Sequence, residues 1–447
     1  MAESKLAKFT QTSIDLLNKE DAQLYELLER ELGRQTNVLA MVAASSIAPP
    51  SVLICEGLAT ANVTTEGYPG ARFHAGCEVV DEIENLAVTR AKAVFHAQYA
   101  NVQPHSGTSA NGAVIFSLLK PGDTILGMEL NSGGHLTHGA AASVVGQYFN
   151  AIGYGVNQDG FIDYEQVRGL AQQHQPQLII CGASAYPRAI DFMRFREIAD
   201  EVGAYVMADI SHIAGLVAAG EHPSPIDHAH FTTTSTYKQL YGPRGGLILI
   251  GRDYETPGPD GKKTLPELIQ RAVFPYFQGT PNLSAIAAKA RALAIVASPE
   301  FKKMTQRIVV NAKALAEDFI AKKYRVLTGG TDNHMALIDV FTSKGLTGVI
   351  AEKALEACNI IINKNRIAGD KKSVHVTSGM RLGSNSLAFR GMGPSEMRDC
   401  ADLIDQVLSA VQPLDESHYE LAAAAKENFR AKVQDLCRRF PIPDYPG

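Results

Sequence analysis

Short apolar segments alternate with amphipathic ones between about residues 80 and 300 of the chain. The segments at 124–128, 178–181 and 205–208 are short and rich in aliphatic residues, whereas residues 79–94 place apolar side chains at helical spacing. This alternation is typical of βαβ units, in which helices cover both faces of a mostly parallel sheet. The pattern therefore predicts a large α/β domain.

The pattern differs towards both ends of the chain. Residues 8–34 carry leucines at helical spacing but too few of them for a separate core, so we predict a helical arm supported by a partner subunit. After Pro281, helical and strand-like segments indicate a smaller α+β domain. An alanine-rich helix is predicted first, at 285–297. The smaller domain begins near residue 300, with predicted helices at 303–322, 347–357, 395–411 and 417–438 and strand-like segments at 335–340 and 374–377. The predicted units are residues 1–34, 35–299 and 300–447.

The composition argues against several classes of protein. Charged residues make up 20% of the 447 residues, the net charge is -5, and no long run of Lys or Arg suggests a nucleic-acid surface. No segment approaches the roughly 18 consecutive apolar residues of a membrane span, and the N-terminus lacks the apolar core of a signal peptide. The six cysteines show no zinc-type spacing. We expect a soluble, cytoplasmic protein with reduced thiols and no metal.

Lys238 is the first candidate for chemistry. It follows the Thr-rich segment 231–237 and precedes the glycine turn 242–246 and the apolar run 247–250. A lysine on such a rigid element is suited to form a Schiff base with pyridoxal phosphate. The alternative is an ordinary surface lysine, so the residues around Lys238 must decide between the two.

Two other parts of the chain could bind a phosphate group and a pyridine ring. Ser106, Gly107 and Thr108 follow a strand-like segment and open a helical one, which suits a phosphate or an ordinary N-cap. Asp209 ends the segment 205–208, where a carboxylate can pair with a protonated pyridine nitrogen or cap the next helix. Neither position decides the matter alone.

Three further side chains have suitable chemistry. His135 is flanked by glycines that permit the close approach of a planar group, although such a histidine is more often structural. Glu66 lies in a turn-rich segment, where it is either solvated or able to move a proton in a closed cleft. Arg381 can clamp a carboxylate with two parallel hydrogen bonds or form a salt bridge.

These residues occur in ordered blocks along nearly the whole chain, and the blocks resemble serine hydroxymethyltransferase, a fold-type I pyridoxal phosphate enzyme. The blocks are residues 66–70, 100–107, 133–139, 212–220, 242–247, 329–334 and 377–381. The resemblance implies an aspartate aminotransferase-like α/β fold and a pyridoxal phosphate cofactor. It also implies an obligate homodimer, and two such dimers could pair into a tetramer.

The resemblance assigns roles residue by residue. The cofactor would be held by Lys238 as the Schiff-base lysine, Asp209 at the pyridine nitrogen, His135 on the ring face, Ser184 and His212 near the phenolic oxygen, Ser106, Gly107 and Thr108 at the phosphate, and Gly279 of the neighbouring subunit. Arg381 would bind the amino acid carboxylate and Glu66 would move the hydroxyl proton. Tetrahydrofolate would contact Leu130, Gly134, Leu136 and Asn365, with Phe274 from the partner chain.

The departures from the family pattern surround the substrate. Thr64 replaces a tyrosine, and Phe73 and His74 replace two more, so Thr64 and His74 join the predicted substrate contacts. Ala44 replaces the serine that usually meets the carboxylate, and Tyr237 replaces the histidine before the lysine. Extra room beside Cα favours 2-methylserine, whose cleavage releases alanine, over serine. The difference is limited, because one methyl group is worth only about 1 to 3 kcal/mol.

Two alternatives stay open at this point. A folate-independent aldolase or transaldolase would use the same cofactor residues, and the changes at Phe73 and His74 favour it, whereas Asn365 and Phe274 favour folate. A regulatory pseudoenzyme that binds pyridoxal phosphate is disfavoured by the intact set of Lys238 and its companions.

Overall fold

The computed structural model describes residues 4–446, so residues 1–3 of the predicted arm and Gly447 of the predicted C-terminal domain lie outside it. The arm consists of helices α1 (Lys5–Glu20) and α2 (Ala22–Thr36). They separate at Asp21, whose side chain accepts a hydrogen bond from the Leu24 amide at 3.1 Å and caps α2. Neither helix has a buried residue, and an apolar row stays uncovered in the single chain: Leu6, Phe9, Ile14, Leu16, Leu24, Leu27 and Leu28.

A seven-stranded sheet forms the centre of the large domain, in the order β4-β10-β9-β8-β7-β5-β6. Three short strands precede it: β1 (Leu39–Ala40), β2 (Gly67–Tyr68) and β3 (Ala71–Arg72). Its own strands are β4 (Tyr99–Asn101), β5 (Thr124–Met128), β6 (Asn150–Tyr154), β7 (Leu178–Cys181), β8 (Tyr205–Asp209), β9 (Phe231–Ser235) and β10 (Gly246–Ile250). Strands β5 to β9 run parallel, and β10 pairs antiparallel with β4 and β9. The predicted mostly parallel sheet is thus confirmed.

Helices cover both faces of this sheet, because successive strand residues point to opposite sides. Ile179 and Val206 belong to one core cluster, and their neighbours Ile180 and Met207 belong to another. The helices of this domain are α3 (Pro50–Glu56), α4 (Glu78–Phe95), α5 (Gly107–Leu118), α6 (Val144–Tyr148), α7 (Tyr164–His174), α8 (Phe192–Val202), α9 (Ala214–Ala219), α10 (Leu265–Arg271) and α11 (Leu283–Val296).

A second core lies in the C-terminal part of the chain around an antiparallel sheet in the order β11-β12-β15-β14. Its strands are β11 (Arg325–Val326), β12 (Met335–Asp339), β14 (Asn363–Asn365) and β15 (Gly379–Gly383), with short strands β13 (Ile360–Ile361), β16 (Gln412–Pro413) and β17 (Tyr419–Glu420) outside the sheet. The helices are α12 (Pro299–Ala321), α13 (Val340–Lys344), α14 (Gly348–Glu356), α15 (Asn385–Phe389), α16 (Pro394–Ser409) and α17 (Ala423–Arg439).

Two details differ from the sequence analysis. Residues 374–377 form a turn instead of a strand, because the Ser373 carbonyl accepts hydrogen bonds from the amides of Val376 and Thr377. Thr377 has φ 57°, which ends any extended conformation there. Leu39 and Met41 pack in the second core, since β1 pairs with β13, although they precede the large domain in the chain. The division at residues 34 and 299 stays a prediction.

The described helices include none that is both long enough and apolar enough to cross a membrane.

Candidate active site

A cleft at the carboxyl ends of β7, β8 and β9 gathers most of the predicted residues. About 420 Å³ in and above the cleft, open solvent included, is not filled by protein atoms. Its lining includes Ser106, Gly107, Thr108, His135, Ser184, Asp209, His212 and Lys238, together with His138, Ala183, Ser211, Ser235 and Tyr237. In a parallel α/β sheet this edge is where ligands bind, because the strand ends and the following loops converge there.

Lys238 lies in the turn that follows β9 and is buried. In this turn the Thr236 amide donates a hydrogen bond to the Gly245 carbonyl at 3.0 Å. The strand ends at Ser235, two residues earlier than the predicted segment 231–237. Burial lowers the pKa of Lys238 to about 8; the charge of Asp209 raises it, whereas those of Arg381 and Arg244 lower it. A lysine desolvated in this way is an effective nucleophile near neutral pH.

Asp209 is the buried anion of the cleft. Its Oδ2 accepts hydrogen bonds from Asn111 Nδ2 at 2.8 Å and His138 Nε2 at 3.2 Å, and its Oδ1 accepts from the Ser211 amide at 3.0 Å. Burial alone would raise the pKa of Asp209, but the hydrogen bond and charge of His138 outweigh it, so this pKa lies well below its usual range. The carboxylate is therefore ionised and able to pair with a protonated ring nitrogen.

His135 is oriented by the same network. Its Nδ1 accepts from the Thr137 amide at 3.2 Å and lies 2.7 Å from Thr137 Oγ1, which in turn accepts from Asn111 Nδ2 at 2.8 Å. An accepting Nδ1 leaves the proton of the neutral ring on Nε2. Burial lowers the pKa of His135, so the neutral ring prevails and can stack against a planar ligand.

The predicted phosphate residues stand at the beginning of α5. Ser106 is the N-cap, since its Oγ accepts from the Ser109 amide at 3.0 Å, and the N-cap alternative is thus correct for its side chain. A Cβ at Gly107 would crowd Ser235 Cβ at 3.2 Å, so glycine lets the helix start lie against β9. The cap and an anion site are compatible here, because the first backbone amides of a helix have no partner within it.

Arg381 reaches the cleft from β15 of the second sheet. Its Nε donates to Asn363 Oδ1 at 3.0 Å and its Nη1 donates to the Ser184 carbonyl, while Nη2 makes no hydrogen bond to a described residue. Burial lowers the pKa of Arg381 to about 10, which still leaves it charged. The side chain is held in place and keeps a free edge for a carboxylate.

Pyridoxal phosphate fits this set of residues. Two buried polar atoms on the lining, Ser235 Oγ and His212 Nδ1, have no partner among the described residues, as is usual where a ligand completes the hydrogen bonding. Burial, followed by the charges of Lys238 and Arg381, lowers the pKa of His212 well below its usual value, so its ring is neutral. The cleft thus offers an amine, a buried carboxylate and a helix start to one planar anionic cofactor.

Four other predicted residues form a second cluster and do not line this cleft. His74 Nε2 lies 3.3 Å from Glu66 Oε2, and a Cβ at Gly279 would lie 3.6 Å from Glu66 Oε1. The rings of Phe73 and Phe274 are 5.6 Å apart beside them. Thr64 is exposed in the same loop. Within one chain, therefore, Glu66, His74, Gly279 and Phe274 share a cluster of their own, which we call the Glu66 cluster.

The backbone beside Glu66 is fixed by Arg72. Its Nη1 donates to the carbonyls of Thr65 and Gly67, both at 2.9 Å, and its Nη2 pairs with buried Glu84 at 2.6 Å. The Glu66 side chain is itself partly exposed. Glu66 is therefore a partly exposed carboxylate on a rigid segment of backbone.

The predicted folate residues lie on both sides of the His135 loop. Leu130 and Leu136 are exposed, and Arg366 Nη1 donates to Asn131 Oδ1 at 2.7 Å, which holds the segment of Asn365 against that loop. Gly134 packs on Met128, where a Cβ would overlap the carbonyl oxygen. Phe274 belongs to the Glu66 cluster.

Three further residues of the site, Asn111, His138 and Asn363, were not predicted from the sequence. Asn111 is four residues after Gly107 and so shares its face of α5, and His138 follows His135 by three residues in a 3-10 turn. These spacings are the signals that could have found them. Asn363 reaches Arg381 across paired strands, which no local spacing indicates.

The fold and the cleft together define a fold-type I pyridoxal phosphate enzyme. Comparison with known proteins narrows this class, since the family model of serine hydroxymethyltransferase matches residues 17–404. A serine hydroxymethyltransferase of Chromohalobacter salexigens is 46% identical over 422 residues, 94% of this chain and 97% of that protein. Serine hydroxymethyltransferase 2 of Rhodospirillum rubrum is 49% identical over 424 residues, 94% of this chain and 95% of that protein. The chain belongs to the serine hydroxymethyltransferase family.

It is accordingly a pyridoxal phosphate-dependent hydroxymethyltransferase, with tetrahydrofolate as co-substrate. The family assignment confirms the predicted enzyme class and cofactor. It also removes the regulatory pseudoenzyme from consideration.

The acidity of Lys238 gives a testable prediction. Competitive acetylation of the apoenzyme, followed at Lys238 by mass spectrometry, should show the neutral amine appearing with a midpoint near pH 8 instead of the ordinary 10.5. Asp209→Asn should move the midpoint to lower pH, because the Asp209 charge raises this pKa. A midpoint above pH 10, or one that Asp209→Asn leaves in place, would contradict the burial described above. Lys238→Ala identifies the labelled peptide.

Proposed function

We propose that this enzyme cleaves the Cα–Cβ bond of serine and of α-substituted serines, with 2-methylserine preferred, and passes the one-carbon unit to tetrahydrofolate. The products are glycine or alanine. The observation that carries the proposal is the Glu66 cluster, which keeps its carboxylate while Thr64, Phe73 and His74 stand where the family carries tyrosines.

The residues of the cleft have separate tasks in this proposal. Bound pyridoxal phosphate supplies an electron-poor ring that accepts the electron pair of the broken bond. Lys238 would carry the cofactor, Asp209 would hold the proton on its ring nitrogen, and His135 would pack on its face. The backbone amides of Ser106, Gly107 and Thr108 bind its phosphate with Gly279 of the partner subunit, and Ser184 and His212 lie at its phenolic side.

A separate set of residues binds the two substrates in this proposal. The free edge of Arg381 binds the carboxylate, which fixes the bond to be cleaved. Glu66 takes the hydroxyl proton, and His74 Nε2 lies 3.3 Å from its carboxylate. Leu130, Gly134, Leu136, Asn365 and Phe274 receive the folate.

Space beside Cα decides the preferred substrate. Thr64 is smaller than the family's tyrosine by about one ring. The absence of that tyrosine also removes a hydroxyl that an ordinary serine site uses. Filling the space with a methyl group is worth about 1 to 3 kcal/mol, or roughly 10- to 200-fold in rate. Serine cleavage therefore survives, at a lower rate than cleavage of 2-methylserine.

Each active site is completed by two chains in this proposal. Glu66 does not line the cleft of its own chain, so a second chain is needed to bring its carboxylate to the substrate. The uncovered apolar row of α1 and α2 supplies surface for a partner. The protein is therefore an obligate homodimer, and two dimers can pair further.

The six free cysteines agree with a cytoplasmic location.

Comparison of substrates tests the preference. Rates for serine, 2-methylserine, threonine and a phenylserine, each with and without tetrahydrofolate, should rank 2-methylserine first, about 10- to 200-fold above serine. Thr64→Tyr should reverse the order by refilling the space, whereas Phe73→Tyr, a matched change that restores a hydroxyl but adds no ring, should not. Serine as the fastest substrate would overturn the preference. Formaldehyde release that ignores folate would establish the aldolase alternative.

Mixing of two inactive variants tests the shared site. Lys238→Ala and Glu66→Gln chains are each expected to be inactive, but hybrid dimers contain one intact site. An equal mixture after subunit exchange should regain about a quarter of wild-type activity, as random pairing in a two-fold dimer requires. No recovery, with hybrids demonstrated by native mass spectrometry, would place Glu66 and Lys238 in the same chain's site.

A further inference from the structure

Lys289 is a completely buried lysine outside the cleft. It lies in α11 and is 2% exposed. Its Nζ donates to three backbone carbonyls, those of Val102 at 2.6 Å, Pro104 at 3.0 Å and Gly246 at 3.0 Å. An ammonium group has three donors and no acceptor, so these three carbonyls match its protonated form.

No carboxylate of a described residue lies within 4.0 Å of this ammonium group. The acidic group that acts on it is Glu84, which is already paired with Arg72 at 2.6 Å and accepts from Gln103 Nε2 at 2.8 Å. Burial lowers the pKa of Lys289 to about 7, and the charge of Glu84 raises it. A buried cation without a direct counter-ion is costly, so a reason for its presence is needed.

The three carbonyls all belong to the backbone around the phosphate residues. Val102 and Pro104 lead from β4 into Ser106, and Gly246 begins β10 directly after the turn that carries Lys238. The Gly246 amide also donates to the Pro104 carbonyl at 2.9 Å. Lys289 thus ties together the two segments that bear the phosphate site and the Schiff-base lysine.

The packing at this junction leaves no room for a side chain at Gly245 or Gly246. A Cβ at Gly246 would overlap the Ser106 carbonyl, and a Cβ at Gly245 would overlap Lys289 Cε. The two glycines therefore let the Lys238 turn lie directly on the start of the phosphate loop. Lys289 fills the space below that contact.

We propose that Lys289 is a positioning residue of the cofactor-phosphate site. Its ammonium group fixes the backbone that leads into Ser106, and its unpaired charge is offset by the phosphate dianion bound above. The lysine touches neither substrate nor cofactor. Its effect is therefore much larger on ligands that carry the phosphate group than on ligands that lack it.

Two forms of the cofactor separate this role from general support of the fold. Pyridoxal 5'-phosphate and pyridoxal share the ring and the aldehyde, but only the first has a phosphate. For apoenzyme carrying Lys289→Met, the Kd of pyridoxal 5'-phosphate should rise about 10- to 100-fold, since charge-assisted interactions are lost. The Kd of pyridoxal should change less than about threefold. Both are measured by titration of the visible absorbance of the lysine-bound aldehyde.

A second variant and a second probe keep the test decisive. Lys289→Gln keeps two donors without the charge, so its ratio of the two Kd values should lie between those of wild type and Lys289→Met. Inorganic phosphate should raise the Tm of wild-type apoenzyme and raise it less in either variant. If Lys289→Met fails to fold, Lys289→Gln with both probes carries the test.

A buried polar residue elsewhere serves as the control. Asn311 in α12 donates to the Met392 carbonyl at 2.9 Å, away from the phosphate loop. Asn311→Leu should lower the Tm and leave the ratio of the two Kd values unchanged. The proposal is overturned if the Lys289 variants bind pyridoxal and its phosphate with equally weakened affinity.

Discussion

The buried carboxylate of Asp209 is the interaction on which the rest of the active site depends. An ionised group removed from water is costly unless hydrogen bonds replace the water it has lost. Here Asn111, His138 and the Ser211 amide do so, each from a different element. Asn111 also orients His135 through Thr137, so the anion and the imidazole ring of His135 are held by one amide side chain.

The parallel sheet explains why these groups meet. Asp209 ends β8, Ser235 ends β9, and Lys238 follows in the turn beyond, so the charged groups converge at the carboxyl edge of neighbouring strands. The negative charge of Asp209 then raises the pKa of Lys238 against the effect of burial. Alongside burial, Arg381, which reaches the cleft from the second sheet, in turn lowers the pKa of both Lys238 and His212.

Sequence alone predicted the mostly parallel sheet, and it named Lys238, Asp209 and Ser106 as candidates that the structure brings to one cleft, because strand residues and the loops after them are local in the chain. It could not find Asn363 or Lys289, whose partners lie in distant elements. Residues 374–377 were predicted to form a strand, but hydrogen bonds to the Ser373 carbonyl impose a turn there. Spacing within a segment is readable from the chain, whereas contacts between segments depend on the packed structure.

The ionisation of Asp209 is the most direct test of this account. Infrared or 13C NMR spectra of apoenzyme with labelled aspartate, compared with Asp209→Asn, isolate the signal of this one carboxyl group. We predict an ionised carboxylate throughout the pH range in which the protein stays folded, since the pKa lies well below its usual range. A titration of that signal at or above the ordinary aspartate pKa of about 3.9 would contradict the account.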